Sequence, residues 1–168
     1  SGVCTALVTP FLNGEVNYPM AEQLLRRQVD SGVNAVVVAG TTGESATLTH
    51  DEHRRVLDIM IDEVDGRVTT IAGTGSNATT EALDLTKYAD DAGADMALLI
   101  TPYYNKPQQH GVIEHYTQIA NAVDIDLITY NVPSRTSLDM APETIVELAK
   151  VDNISALKEA SSDVDKVS

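Results

Sequence analysis

Cysteine, positive charge and long apolar runs are all scarce in this chain of 168 residues. A single cysteine, Cys4, excludes an internal disulfide and fits a reducing compartment. It lies in an apolar, strand-like run, so a buried, inert thiol is expected rather than a nucleophile. Lysine and arginine number 11 against 25 aspartates and glutamates, a net charge of −14, and the sequence pI is about 4.4. This deficit argues against nucleic acid or an anionic membrane as a partner. No apolar run approaches membrane-spanning length, and the N-terminus lacks a basic stretch followed by a hydrophobic segment. The expectation is a soluble, unexported, cytoplasmic protein.

What is present is a well-supplied core: 43% of the residues are hydrophobic, enough for one sizeable domain. Acidic residues such as Asp51, Glu52, Asp58, Asp62, Glu63, Asp90 and Asp91 are spread through helix-like segments, which reads as a solvated surface. Short Val/Ile/Leu/Ala runs predict strands at 4–9, 35–39, 68–72, 96–101, 127–131 and 154–158. They recur at about the thirty-residue interval of a βα unit. Their continuous apolar character fits strands covered on both faces. Between them, Pro19 opens a helix that Gly32 closes. Thr49 and Glu52 form a capping-box pair. Thr79-Thr80-Glu81 starts a helix that Gly93 stops, and Pro142 marks a further helix start. Strict alternation of this kind implies a parallel α/β architecture, either an eight-stranded (β/α) barrel or a doubly wound open sheet.

One residue carries chemistry of its own. Lys158 lies near the end of the last apolar run, and Tyr130 ends the run before it. An apolar setting disfavours the ammonium and lowers its pKa. A neutral amine forms a Schiff base with a carbonyl substrate, and a nearby phenol can move protons. The alternative is a strand-end lysine snorkelling to water. Two other patterns point less far. Gly73-Thr-Gly75-Ser-Asn-Ala78 imitates a dinucleotide fingerprint, but the acid expected at the end of the next strand is absent, so glycines in a tight βα turn are expected. His50 and His53, with Glu52, could approach a metal, but the spacing is not that of a zincin, and an exposed helix terminus is the simpler reading.

Four stretches together resemble the dihydrodipicolinate synthase family: Gly40-Thr-Thr-Gly-Glu44, Thr101-Pro-Tyr-Tyr-Asn105, Tyr130-Asn-Val-Pro-Ser-Arg-Thr136 and Leu157-Lys-Glu-Ala160. The resemblance runs along the whole chain. It implies a (β/α)8 TIM barrel, here one domain over residues 1–168 that reaches only through about its sixth strand. It implies a class I aldolase mechanism that condenses pyruvate with aspartate semialdehyde, with no metal and no organic cofactor. Lys158 would form the Schiff base. Thr41, Tyr104 and Tyr130 would relay protons, with Tyr104 supplied by the neighbouring subunit of a tight dimer. Thr42 would hold the pyruvate carboxylate and Arg135 the carboxylate of the semialdehyde, a planar group that a guanidinium can bind through two parallel hydrogen bonds. A second implied set, Ser45, Ala46, His50, His53, Asn77, Glu81 and Tyr103, would bind lysine as a feedback inhibitor. The implied assembly is a homo-oligomer, a dimer of dimers.

The chain departs from the family pattern in length, since such a barrel takes about 250 residues. The expectation is a longer polypeptide, or a second chain, that completes the fold. Two rival functions stand beside the synthase. One is another pyruvate aldolase of the superfamily, such as one resembling N-acetylneuraminate lyase. The other is a non-catalytic barrel fragment that only binds or assembles.

Overall fold

The computed structural model describes residues 2–163. By its contacts the chain divides into two compact units. One is built from the residues up to Gly73 together with Tyr88–Met96, the other from Thr74–Lys87 and from Ala97 onward.

In the first unit, β1 (Cys4–Ala6), β4 (Ala35–Val38) and β5 (Thr69–Gly73) are parallel neighbours in that order, with Cys4 opposite Ala35 and Ala35 opposite Thr69. The β-branched run of β4 is buried between its neighbours, with Val36 and Val38 fully inaccessible. A hairpin of β2 (Phe11–Leu12) and β3 (Glu15–Val16) turns at Asn13 and Gly14, both at positive φ. Asn-Gly is the pair that such a two-residue turn favours. Helix α1 (Tyr18–Asp30) starts at Asn17, whose side chain accepts the Met20 N–H, and carries Pro19 in its first turn. Helix α2 (His50–Val64) has the full capping box, with Thr49 and Glu52 each satisfying the other's backbone N–H. The Thr49 N–H and hydroxyl, both donating to the Glu52 carboxylate, hold it below its ordinary range. Leu25 of α1 and Val56, Leu57 and Met60 of α2 form the helical side of the core. Arg26 grips Glu63 through two bonds of 2.7 Å, which lowers the Glu63 pKa.

The second unit contains β6 (Met96–Ile100, from Ala97), β7 (Asp126–Asn131) and β8 (Ile154–Glu159), again parallel neighbours in that order. With them are the first part of α3 (Thr79–Ala92), α4 (Gln109–Ala120), the short α5 (Pro133–Thr136) and α6 (Pro142–Leu148). Tyr116 of α4 is wholly buried and donates to Leu99 O at 2.9 Å; burial raises its pKa. Helix α6 has no capping side chain of its own. Gln109 supplies the cap instead, accepting from Ala141 N and Thr144 Oγ1 and donating to Asp139 O. At the other end of α4, Asn153 Nδ2 donates to Ala120 O, in the last turn, and to Val123 O just beyond the helix.

Pairing between β7 and β8 slips once. Leu127 faces Ile154 and Ile128 faces Ala156, so Ser155 is an extra residue on β8. Beyond it the register is regular, ending with Tyr130 opposite Lys158 and Asn131 opposite Glu159.

All six expected strands are present; five agree within one residue with the limits read from the sequence, whereas β1 ends at Ala6, three residues short of the expected limit. The hairpin and α4 and α5 were not read there. Cys4 corrects an expectation: it is exposed, not buried. Among the described residues β1 has strand β4 on one side only, so its apolar run is not covered all round. No helix of the described residues is long and apolar enough to cross a membrane.

Candidate active site

The functional residues expected from the sequence sit at the ends of strands, in the segments that follow them and in the first turns of α2 and α3. In the first unit, the loop after β4 carries Thr41 and Thr42, both exposed. Ala39 and Glu44 bracket it at positive φ, 51° and 54°. Such a conformation is uncommon without glycine. The loop is held from below: Thr9 Oγ1 donates to Gly43 O at 2.7 Å, and Glu44 N donates to Thr41 O. Gly73 packs so tightly on the Ala39 carbonyl that a Cβ there would overlap it. In the second unit Gly75 lies equally close to Ile100 N. The Gly73–Gly75 stretch therefore serves backbone packing, as the simpler reading of that motif expected.

The second unit brings Tyr130 and Lys158 together. They are register partners on β7 and β8, and Lys158 Nζ lies 4.3 Å from the centre of the Tyr130 ring. That is within cation–π range. Tyr130 is buried, 7% exposed. Lys158 is exposed, which corrects the expectation of an apolar setting for its amine. Among the described residues β8 has a strand neighbour on one side only, so the flank of Lys158 stays open to solvent. Arg135 lies on α5, the turn directly after β7, and is exposed. Tyr104 is 89% exposed at φ 71°. Beside it, Asn105 Nδ2 donates to Asn77 O at 3.0 Å, tying the Tyr103–Tyr104 loop to the segment that precedes α3.

The second expected set is likewise divided by unit. Ser45 and Ala46 begin the single 3-10 turn that leads to α2, and His50 opens that helix, exposed. His53 corrects the reading of an exposed helix terminus. It is 6% exposed, with Nε2 2.8 Å from Gly73 O. The helix presents position 53 to β5 along with Val56, Leu57 and Met60, so the imidazole belongs to the core face. Asn77, Glu81 and Tyr103 are half-buried members of the second unit.

Three residues next to the Lys158 pair were not singled out in the sequence: Asn131, Asp139 and Glu159. The buried Asn131 amide donates to Asp139 Oδ1 at 2.8 Å and to both carboxylate oxygens of Glu159, at 3.1 and 2.9 Å. Its own carbonyl oxygen accepts from Met140 N. The available signal was position, since Asn131 and Glu159 directly follow Tyr130 and Lys158.

The parallel α/β frame places the chain among the (β/α) barrels, a class whose active sites lie at the C-terminal ends of the strands. The chain belongs to the dihydrodipicolinate synthetase family, whose model matches residues 1–168. It is 57% identical to the 4-hydroxy-tetrahydrodipicolinate synthase of Methanothermobacter thermautotrophicus, covering 99% of this chain and 59% of that protein. It is similar to the crystal structure of the chloride-inhibited dihydrodipicolinate synthase of Acinetobacter baumannii complexed with pyruvate. The TM-score is 0.96 at 48% identity, over 98% of this chain and 57% of that one. It is also similar to the enzyme of Cyanidioschyzon merolae with lysine bound, with TM-score 0.94 and 46% identity over 97% and 56% of the two chains. The chain thus spans under three-fifths of the length of these relatives. The fold class is that of the (β/α)8 barrel, represented through its sixth strand.

Proposed function

We propose that this chain carries the catalytic lysine of a 4-hydroxy-tetrahydrodipicolinate synthase, a cytoplasmic homo-oligomeric lyase that condenses pyruvate with L-aspartate 4-semialdehyde. The observation that carries the reading is the Tyr130–Lys158 pair, an amine 4.3 Å from a phenol ring on adjacent strands. Its support from relatives is the synthase name at 57% identity and a pyruvate complex at TM-score 0.96. Those names favour the synthase over an aldolase acting on sialic acids.

In this reading the Lys158 amine adds to the keto carbon of pyruvate and loses water, leaving a cationic iminium. The positive nitrogen draws electrons from the methyl carbon, which gives up a proton and becomes an enamine nucleophile. Tyr130 moves that proton, with Thr41 and Tyr104 as hydroxyl partners. Thr42 holds the pyruvate carboxylate, and Arg135 takes the semialdehyde carboxylate as a bidentate pair. After the enamine attacks the aldehyde, the substrate's own amine displaces Lys158 as the ring closes. No metal or organic cofactor enters the scheme, because the iminium is itself the electron sink. Lysine is the ligand inferred for Ser45, Ala46, His50, His53, Asn77, Glu81 and Tyr103, where the Glu81 carboxylate suits an ammonium. A lysine-bound relative supports that inference.

Incubation with pyruvate and borohydride, read by mass spectrometry, tests the scheme. A reduced pyruvyl adduct on Lys158 is expected, and Lys158→Ala should carry none. An unlabelled parent chain, or a label that persists in Lys158→Ala, overturns the reading. Running the same assay with added lysine addresses the second set, and an adduct rate indifferent to lysine rejects it.

A further inference from the structure

The Lys158–Tyr130 pair is held by an element that the proposed chemistry does not use. One residue beyond it, Asn131 and Glu159 are register partners on the same two strands. Asn131 is fully buried, and both ends of its side-chain amide are engaged. Its Nδ2 hydrogens go to Asp139 and to the Glu159 carboxylate, its Oδ1 accepts from Met140 N, and its backbone oxygen accepts from Ala160 N at 2.9 Å. The Met140 N–H fixes which end of the amide faces the carboxylates, since only oxygen can accept it. Glu159 Oε1 accepts from Ser161 N as well, at 2.7 Å. One amide therefore ties the end of β7, the approach to α6 and the end of β8.

Resting on the Schiff-base reading above, we propose that Asn131 is a positioning residue for the reaction: through Glu159 it fixes the strand-end register that sets the Lys158 amine against Tyr130. The physical case has two parts. A strand end with no further pairing frays, and Lys158 is the penultimate residue of β8. A hydrogen bond from a buried amide to a carboxylate is of the strong, charge-assisted kind, and it crosses between the strands at the position adjacent to the pair. The backbone ladder between the two strands ends at this point, with the Ala160 N–H on the Asn131 carbonyl. Reaction rate is sensitive to such placement, since a displacement of about 1 Å costs on the order of 100-fold.

The test follows borohydride-trapped pyruvyl adduct against time and pH in the full chain, normalised to folded protein by circular dichroism. Glu159→Ala removes the cross-strand arm from a half-buried position. It should slow trapping by on the order of 100-fold while leaving the shape of the pH profile unmoved. Glu159→Gln keeps an acceptor oxygen for the Asn131 amide and should restore the rate. Asn131→Leu, which cannot donate, should match Glu159→Ala. Trapping in Glu159→Ala as fast as in the parent overturns the inference. So does a Glu159→Gln as slow as Glu159→Ala with a displaced pH profile, because the carboxylate would then act on Lys158 by charge alone. A parent chain that is never trapped overturns the Schiff-base reading, and this inference with it. A trapped parent with an unaffected Glu159→Ala overturns this inference alone.

Discussion

Burial holds the His115 imidazole at a pKa of about 4, well below the ordinary 6.5. The ring is 4% exposed, sits edge-on to Tyr116 and shares a 2.9 Å hydrogen bond between Nδ1 and Thr79 Oγ1. Its Nε2 has no hydrogen-bonding partner among the described residues, so a proton there would be buried without an acceptor. The consequence is a pH dependence of stability with a definite sign. As pH falls, the unfolded chain takes up the proton first, at about 6.5, while the folded chain does so only near 4. The neutral imidazole therefore opposes folding below about pH 6.5, and the loss grows to about 3 kcal/mol near pH 4. Urea unfolding at pH 7 and pH 5 should show a steeper decline for the parent than for His115→Gln, which does not titrate. Equal slopes would remove His115 as the cause. None of this was legible from the sequence, in which His115 is one polar residue in an ordinary amphipathic stretch. Lys158 and Cys4 were misread for a related reason. A run of apolar neighbours reveals strand character, but exposure is decided by which flanks of the strand are covered.

Helix boundaries were legible wherever their cause lies within a few residues. Thr49 and Glu52, three apart, announce the start of α2 and are found bonded to each other. Replacing Thr49 with alanine should cost about 1 kcal/mol, seen as a lower urea midpoint at unchanged slope; an unaltered midpoint would show the cap to be dispensable. Capping partners at long range were not legible: the start of α6 was read from Pro142, but Gln109, which caps it, lies more than thirty residues earlier, and Asn153, at the end of α4, lies more than thirty residues later. The β2–β3 hairpin is a different kind of omission. Its Asn13-Gly14 signal was present, but the flanking strands are two residues each, too short to stand out by pattern. The site divides along the same line. Lys158 and Tyr130 were found from their place at the ends of apolar runs and Thr41 by resemblance, whereas the Asn131–Asp139–Glu159 cluster depends on a strand register that only the folded chain reveals.

At the scale of the whole molecule, charge is the dominant uncompensated quantity. A net −14 on 168 residues sets acidic side chains against one another. The ion pairs of Arg26, Arg67 and Lys150 do little to relieve this, because all three form at partly exposed positions. Repulsion of this kind is screened over about 10 Å at 0.1 M salt and over about 3 Å at 1 M. The melting temperature should therefore rise between those conditions, and a flat or falling trend in sodium chloride would refute the charge argument. The extra residue at Ser155 has a consequence of another sort. In an unbroken strand, side chains an odd number of positions apart point to opposite sides. Residues Ile154, Ser155, Ala156 and Leu157 all border one apolar groove with Ile145 and Leu148 of α6. Ile154 is buried and Leu157 half-buried while Ser155 and Ala156 are exposed, so the two large apolar side chains, three positions apart, share the covered side. Lys158, next in line, meets the phenol instead. The insertion thus reconciles two odd–even demands that one regular strand could not satisfy together. A single residue added or lost between Ser155 and Lys158 would swap the leucine methyls for the amine at Tyr130, whereas changes in pairs would leave the chemistry where it is.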